Sequence, residues 1–148
     1  MEIIEDFPLP ASSGLNNRYF LTYVGEQRLA VPTKWVAEII LVERSQILSL
    51  PFYDSLLLGL IYHQGVIVPL ITAHLLLSRQ LNSDIPLRVL KEKLSVIRLS
   101  QSAEHLSGVG IVVDRVVAQI DDHSIAAVPS QTSIFQLTDV PTQVWQPL

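Results

Sequence analysis

Residues 56–77 carry no formally charged side chain, and this uncharged run most constrains the fold. Its length and apolarity would suit a membrane helix, which takes about 20 residues. However, Gly59 and Gly65 break helix continuity, and Pro69 removes a backbone donor. A membrane helix would also place the polar residues 63–64 near the bilayer centre, where they are costly. The run therefore favours a β-hairpin over a membrane span.

The hairpin can be placed residue by residue. Residues 59–62 are predicted to form one short strand, residues 63–65 the turn, and residues 66–71 the return strand. Gly65 can take the positive φ that such turns require. The return strand begins Val-Ile-Val, and β-branched residues favour a pleated strand over a helix.

This hairpin also resembles the signature of the CheW family, the coupling proteins that join chemoreceptors to the histidine kinase CheA. The family pattern reads, loosely, Gly-Val-x-Asn-Leu-Arg-Gly-x-Ile-x-Pro-Val-Ile-Asp-Leu. Gly59, Gly65, Pro69 and the apolar positions around them match it. Two positions depart, because Gln64 stands where the family usually has Arg, and Thr72 where it usually has Asp.

A second resemblance lies at residues 108–117. The family has Gly-x-x-Val-Asp-x-Val in this region, and Gly110, Val113, Asp114 and Val116 fall on that pattern. A continuous apolar run of this kind predicts a strand that is buried on both sides.

The segment of residues 33–42 leaves two conformations open. A helix would place Val36 and Ile39 on one stripe, whereas a strand would place Val36 and Glu38 on one face. The residues alone favour a core Val36 and a solvated Glu38. The segment also resembles the family's Val-x-Glu-Ile element, which implies that it contributes to partner contacts.

The rest of the chain reads as short elements between turns. Further strands are expected at residues 19–24, 27–32, 46–51 and 94–99. Residues 52–58 are expected to form one or two helical turns, residues 72–77 a short helix, and residues 78–93 a connecting loop. Residues 101–107 read as a polar turn. Short strands separated by frequent turns predict a barrel or a sandwich.

Composition narrows the function classes. Hydrophobic residues make up 49% of the 148 residues, enough to fill a core and leave apolar surface for partners. The net charge of −4 gives no electrostatic footprint for nucleic acid. The chain has no cysteine, which excludes disulfides, thiolate metal sites and a cysteine nucleophile. The acidic start lacks the features of a secretion signal, and we expect a cytoplasmic protein.

No catalytic or metal-binding pattern stands out. The four histidines lie in separate predicted elements without the spacing of zinc ligands: His63, His74, His105 and His123. The chain has no nucleophile elbow and no phosphate-binding glycine-rich loop. We therefore expect a non-catalytic binding protein without cofactor or metal. The alternatives are a small β-barrel enzyme or ligand-binding domain, and a fragment of a larger chemosensory kinase.

The resemblance implies an all-β fold of two SH3-like five-stranded β-barrels on a shared apolar core, with one or two short helices. It covers residues 18–129, which leaves a flexible leader at residues 1–17 and a divergent or truncated tail at residues 130–148. Because that tail lacks the family's closing strand pair, we expect an incomplete second barrel. An unpaired strand edge there would promote self-association.

The resemblance also implies a function. It predicts an adaptor that binds the regulatory domain of a CheA-type kinase and the cytoplasmic tip of a methyl-accepting chemoreceptor, in chemotaxis, phototaxis or pilus-based motility. Neither nucleic acid nor direct membrane insertion is expected. The expected partner-binding residues are Val36, Glu38, Gln64, Gly65, Val66 and Asp114. Because Gln64 cannot make the bidentate bonds of Arg, a divergent pathway or reduced coupling is expected.

Overall fold

The computed structural model describes residues 17–81, 92–127 and 132–148. The predicted leader therefore lies outside the described residues except for Asn17, and most of the predicted loop over residues 78–93 lies outside them as well. The described strands are β1 (Arg18–Val24), β2 (Gln27–Pro32), β3 (Val36–Glu43), β4 (Leu57–His63), β5 (Val66–Thr72), β6 (Lys93–Leu99), β7 (Gly110–Val113), β8 (Arg115–Asp121) and β9 (Thr132–Ile134). The α-helices are α1 (Ala73–Leu81) and α2 (Asp122–Ala127).

The strands form two mixed sheets. The five-stranded sheet has the order β3-β6-β7-β5-β4, and the four-stranded sheet has the order β9-β2-β1-β8. The β5–β7 and β2–β9 pairs are parallel, and the other pairs are antiparallel. The predicted all-β class with one or two short helices is confirmed. The expected arrangement was two five-stranded barrels. Among the described residues, one sheet has five strands and the other has four, and in neither sheet do the two end strands pair with each other.

The five-stranded sheet curls until its two end strands approach each other. Leu48, which follows β3 after the 3-10 helix Arg44–Gln46, exchanges two backbone hydrogen bonds of 2.8 and 2.9 Å with Leu60 of β4. The curl encloses a small core of buried side chains: Val42, Ile61, Val68, Leu70, Leu94, Val96 and Val112. The apolar side chains inside the curl explain why strands from distant parts of the chain close on one another.

A larger core lies between the two sheets. It takes Leu29 from β2, Ile71 from β5, Ile111 from β7 and Leu77 from α1. Since Ile71 faces this core while its neighbour Leu70 faces the curl, β5 is apolar on both faces. The four residues of β7 are all buried, as the apolar run predicted.

The predicted hairpin is confirmed as β4 and β5. Its loop consists of Gln64 and Gly65 alone, with φ of 49° and 84°. Positive φ at both central residues is what a two-residue type I′ turn requires. The loop is one residue shorter than predicted because His63 ends β4 and pairs with Val66.

Of the two conformations left open for residues 33–42, the structure has the strand, which is β3. A single 3-10 turn, Thr33–Trp35, precedes β3.

The prediction of helical turns at residues 52–58 is wrong. Instead, the Asp54 carboxylate accepts a hydrogen bond of 2.8 Å from Leu56 N, and the backbone carbonyl of Asp54 accepts one from Leu57 N. These two bonds form a tight turn that leads into β4.

The expected strand at residues 46–51 is reduced to the Leu48 bridge, since Arg44–Gln46 forms a 3-10 helix. The helix expected at residues 72–77 is longer than predicted and runs to Leu81 as α1. The polar turn at residues 101–107 is the 3-10 helix Gln101–Leu106, which is anchored by the buried Leu106.

The apolar run over residues 108–117 is two strands rather than one. It divides at Asp114, so that β7 belongs to the five-stranded sheet and β8 to the four-stranded sheet. Asp114 N donates to Tyr23 O at 2.9 Å, which turns the chain toward β1.

Part of the tail that the sequence left unassigned packs into the fold. β9 pairs with β2, and Phe135, Val140 and Val144 that follow it are buried in the larger core. Two further 3-10 helices, Leu137–Asp139 and Thr142–Trp145, carry the chain across that core. The four-stranded sheet thus takes its outer strand from the tail.

Candidate partner-binding surface

The tip of the β4–β5 hairpin is exposed to solvent. Gln64, Gly65 and Val66 are all exposed, and Val66 retains 52% of its accessible surface. The type I′ geometry holds both loop residues in one conformation, so the Gln64 amide extends from a rigid support. An exposed apolar residue beside a neutral amide suits contact with an uncharged protein surface.

Glu38 lies close to this tip although 25 residues separate it from His63 in the chain. Arg98 Nε donates a hydrogen bond of 2.7 Å to Glu38 Oε2, and His63 Nε2 lies 3.7 Å from the same oxygen. His63 Nε2 is buried, and none of the described residues forms a hydrogen bond with it. The curl of the sheet therefore places a paired carboxylate next to the residue that precedes the turn.

Val36 has a partly structural environment. It begins β3 opposite Leu99, and its side chain is half-buried against the larger core, as is that of Trp35. The part of Val36 that remains accessible lies at the same end of β3 as Glu38. A substitution at Val36 will therefore affect packing as well as any surface contact.

Asp114 is engaged in contacts within the fold. Its Oδ2 accepts a hydrogen bond of 2.7 Å from Gly25 N, and its Oδ1 lies 3.0 Å from His74 Nε2. These contacts join the β1–β2 turn and α1 to the junction between β7 and β8. Only 20% of the Asp114 side chain is exposed.

The predicted site residues thus divide into two regions. Gln64, Gly65 and Val66 lie at the start of β5, and Glu38 reaches them through His63. Asp114 lies near the other end of β5, because Thr72 pairs with Val112. A seven-residue strand spans about 20 Å, so one small contact cannot cover both regions.

Sequence reasoning missed the outward face of the same hairpin. Tyr62 and Ile67 lie directly opposite each other on β4 and β5, and both are strongly exposed. The sequence carried a signal for this exposed pair, since the residues on both faces of these two strands are apolar. The sequence predicted the two strands, and it did not predict which of their faces is left uncovered.

Two depressions bear on the enzyme alternative. A cavity of about 320 Å³ is lined by residues that include Arg18, Lys34, Trp35 and Phe135, and the lining residues that the structure describes include no carboxylate, imidazole or serine. A groove of about 540 Å³ is lined by residues that include Ser100, Ser102 and Ser107. A serine nucleophile needs an adjacent base, and the described lining of this groove contains none.

Three further observations concern the Tyr19 hydroxyl, metal binding and membrane-spanning helices. Burial, followed by the hydrogen bond to Asp122, raises the pKa of Tyr19. Among residues in the described ranges, no three histidine or acidic side chains cluster in a way that could hold a metal ion. In the same ranges no helix is both long enough and apolar enough to cross a membrane.

Comparisons with known proteins identify one matching family model and a similar fold. A family model described as "CheW-like domain" matches residues 18–137, which includes β9 and Phe135. The fold is similar to the crystal structure of the scaffolding protein TtCheW from Thermoanaerobacter tengcongensis, with a TM-score of 0.55 and 20% sequence identity. That match covers 78% of this chain and 64% of the other, so the chain spans less than two thirds of that structure. No curated protein matches the sequence.

Proposed function

The chain belongs to the CheW-like domain family, and from this premise we propose that it is a non-catalytic cytoplasmic adaptor. It couples a CheA-type histidine kinase, through the kinase's regulatory domain, to the cytoplasmic tip of a methyl-accepting chemoreceptor. The observation that carries this proposal is the rigid, exposed hairpin tip beside Glu38. The family model and the matched fold support it.

The tip offers a contact that depends on shape and apolar burial. Val66 supplies an exposed aliphatic group, and Gln64 supplies an uncharged hydrogen-bonding head. Because Arg98 already pairs with Glu38, the carboxylate presents little net charge to a partner. Affinity at this surface therefore comes mainly from buried apolar area, and the polar groups set orientation.

The sharpest test of this surface is Val66→Asp. Val66 is exposed, so the substitution leaves the core intact, while a charge in an apolar contact loses burial and adds a desolvated group. Loss of an interface anchor typically costs about 2 kcal/mol, or roughly thirtyfold in affinity. Binding would be measured by calorimetry against the kinase regulatory domain and the receptor's cytoplasmic hairpin from the same organism.

The matched control is Val117→Asp on β8, a half-exposed valine in the other sheet. We expect this variant to bind both partners as the unsubstituted chain does. Unchanged binding by a folded Val66→Asp variant would remove the hairpin tip from the proposal.

Val36→Asp is a weaker probe of the partner surface than Val66→Asp. Because Val36 is half-buried against the larger core, the charge is expected to lower the melting temperature as well as any affinity. Val36→Ala with a parallel thermal melt separates the two effects. A drop in affinity without a drop in melting temperature would assign Val36 to the partner surface.

Gln64→Arg tests how far the partner has diverged. If the partner keeps an acidic group opposite this position, the guanidinium is expected to strengthen binding through a charge-assisted hydrogen bond. If the partner has changed in step, affinity stays the same. The result therefore identifies the chemistry opposite Gln64, and Gln64→Lys controls for charge without the bidentate geometry.

A further inference from the structure

The cavity of about 320 Å³ lies where β1 begins and β2 ends. Its walls include Arg18 from β1, Lys34 and Trp35 from the 3-10 turn that follows β2, and Phe135 and Gln136 from the tail. We name it the cationic cavity, after Arg18 and Lys34. Its volume falls at the lower end of the range of about 300–1,000 Å³ that is typical of small-molecule sites. The cavity is therefore large enough for a small organic molecule.

Hydrogen bonds from separate parts of the chain fix the walls of the cationic cavity. Phe135 N donates to a backbone carbonyl of β2 at 2.8 Å, which holds the tail against that strand. Ser102 Oγ donates to Lys34 O at 2.6 Å. Ser100 N donates to Trp35 O at 2.7 Å, so the 3-10 turn is held at both of these residues. The cavity is therefore preformed, and a preformed site loses less conformational entropy when a ligand binds.

The lining carries positive charge, although the net charge of the chain is −4. The lining residues that the structure describes include no carboxylate, and within the described ranges no ion pair joins Arg18 or Lys34 to an acidic side chain. Arg18 Nη2 donates to Gln119 Oε1 at 3.4 Å. Lys34 Nζ lies 5.0 Å from the centroid of the Trp35 ring. Since a guanidinium and an ammonium group carry several N–H donors each, both cations keep donors available for a ligand.

Acidic residues of the neighbouring elements are bonded to other groups. Asp121, Asp122 and Asp139 each accept a hydrogen bond from a backbone N–H, at 2.9, 3.3 and 2.8 Å respectively. Asp121 is the cross-strand neighbour of Arg18. The bond from Ser124 N is the main reason that the pKa of Asp121 is lowered, and the charge of Arg18 contributes least. The Arg18 guanidinium is therefore only weakly engaged by its acidic neighbour.

The groups of the lining favour a ligand with an oxyanion and an apolar body. Arginine, lysine and the indole N–H of Trp35 are hydrogen-bond donors without acceptor capacity. Charged donors form their strongest hydrogen bonds with carboxylate and phosphate oxygens. Trp35 and Ile134 supply apolar surface to the same cavity. A cationic ligand would be repelled, and a purely apolar one would leave the donors without acceptors.

We propose that the cationic cavity binds a small organic anion, whose carboxylate or phosphate group pairs with Arg18 and Lys34 and whose apolar part lies against Trp35. Carboxylate and phosphate share the oxygen chemistry that this lining recognises, and the choice of probes separates them. The cavity adjoins the four-stranded sheet, whereas the hairpin tip belongs to the five-stranded sheet. The inference therefore goes beyond the proposed adaptor function and does not depend on it.

The test is an NMR titration of the full chain with benzoate, with phenyl phosphate and with the neutral benzyl alcohol as separate probes. We expect an anion to shift the backbone amides of Arg18 and Lys34 and the indole N–H of Trp35, with a Kd below about 5 mM. The amide of Gln64, at the hairpin tip, should not shift. Tighter binding of benzoate would identify a carboxylate ligand, and tighter binding of phenyl phosphate would identify a phosphate ligand.

Two substitutions test the assigned cations. Arg18→Gln and Lys34→Gln should each weaken the binding of the preferred anion at least about fivefold, because each removes a charged donor. Both residues are exposed, so the melting temperature without ligand should stay the same. Lys93→Gln is the matched control, since Lys93 is an exposed lysine on β6 and the substitution removes the same charge. We expect this control to change the affinity by less than about twofold.

Thermal stability supplies a second readout. The preferred anion, at about ten times its Kd, should raise the melting temperature of the unsubstituted chain by about 3–5 °C, because it binds the folded state alone. The variant that combines Arg18→Gln with Lys34→Gln should lose this shift, and Lys93→Gln should keep it.

Other results overturn the inference in distinguishable ways. If neither anion at about 20 mM shifts these signals, the cavity does not bind oxyanions. Equal shifts with benzyl alcohol would make it an apolar pocket, and an equal loss in Lys93→Gln would reduce the effect to net charge. If Glu5→Gln, in the acidic start of the chain, shifted the same signals without added anion, the cavity would bind an acidic residue of this chain instead of a free ligand.

Discussion

Glu38 and Arg98 are cross-strand neighbours on β3 and β6, and Arg98 Nε donates a hydrogen bond of 2.7 Å to Glu38 Oε2. Both side chains remain about one third exposed, at 32% and 27%. The carboxylate expected from the sequence to be solvated or to contact a partner is therefore already paired within the protein. A partner that reaches this end of β3 meets a neutral pair beside the hairpin tip.

The first prediction concerns this pair. Glu38→Gln should lower the free energy of unfolding by about 0.5–1 kcal/mol, since partly exposed ion pairs contribute little more than that. Chemical denaturation at neutral pH measures the change. Glu26→Gln, at an exposed turn position, serves as the control and should leave stability unchanged. Equal losses in the two variants would mean that the Arg98 contact contributes nothing specific.

The second prediction concerns Asp114. Asp114→Ala removes the acceptor for Gly25 N and the partner of His74, and an unsatisfied buried group costs about 1–3 kcal/mol. We expect urea denaturation to show a loss of about 2 kcal/mol, with Asp114→Asn recovering part of it because one acceptor oxygen remains. A folded Asp114→Ala variant with unchanged stability but impaired partner binding would instead make this residue part of an interaction surface.

The third prediction compares two glycines of the hairpin. A Cβ at Gly59 would lie 2.5 Å from the carbonyl oxygen of Leu48, so Gly59→Ala must displace the backbone that joins β4 to Leu48. A Cβ at Gly65 would meet no atom of the described residues within 4 Å, so the expected penalty comes from the φ of 84°. We expect Gly65→Ala to cost about 1–2 kcal/mol and Gly59→Ala to cost more. Thermal melts that show the reverse order would contradict the described approach of Leu48.

The fourth prediction concerns the tail. Phe135 is fully buried, and its ring packs edge-on against Trp35 with 6.2 Å between centroids. Phe135→Ala should therefore lower the free energy of unfolding by about 3–5 kcal/mol and alter the fluorescence of Trp35. Phe52→Ala is the matched control, since Phe52 is 76% exposed. Similar, small losses in both variants would show that the tail does not contribute to the core.

The fifth prediction concerns pH. The hydrogen bond from Arg79, followed by that from Leu56 N, holds the pKa of Asp54 below its usual value. A carboxyl group whose pKa is lowered by folding stabilises the protein above its unfolded pKa of about 3.9, and loses that contribution as pH falls through the folded pKa. Asp54→Asn should therefore cost about 0.5–1 kcal/mol at pH 7, and the difference should shrink as the pH is lowered from the unfolded pKa of about 3.9 toward pH 2. Urea denaturation at both pH values measures it, and a difference that does not change with pH would contradict the ion pair with Arg79.

Local features of the sequence were sufficient to predict several elements. The β-branched return strand and Gly65 identified the hairpin, because turn geometry and side-chain alternation act within a few residues. The β1–β2 hairpin, with its turn at residues 25–26, followed from the same kind of pattern. The helical turns expected at residues 52–58 were wrong because Asp54 bonds to its own backbone neighbours, a competition that apolar content alone does not reveal.

The sequence by itself determined the uncharged run, the hairpin within it, the buried character of β7 and the all-β class. Only the tertiary structure decided that Glu38 lies beside His63, that Asp114 turns the chain between two sheets, and that Phe135 completes the larger core. Each of these relationships joins residues far apart in the chain through the curl of a sheet or the packing of two sheets. The exposure of Tyr62 and Ile67 on the β4–β5 hairpin was decided in the same way. Periodicity shows that both faces of a strand are apolar, but what covers each face depends on the elements that pack against it.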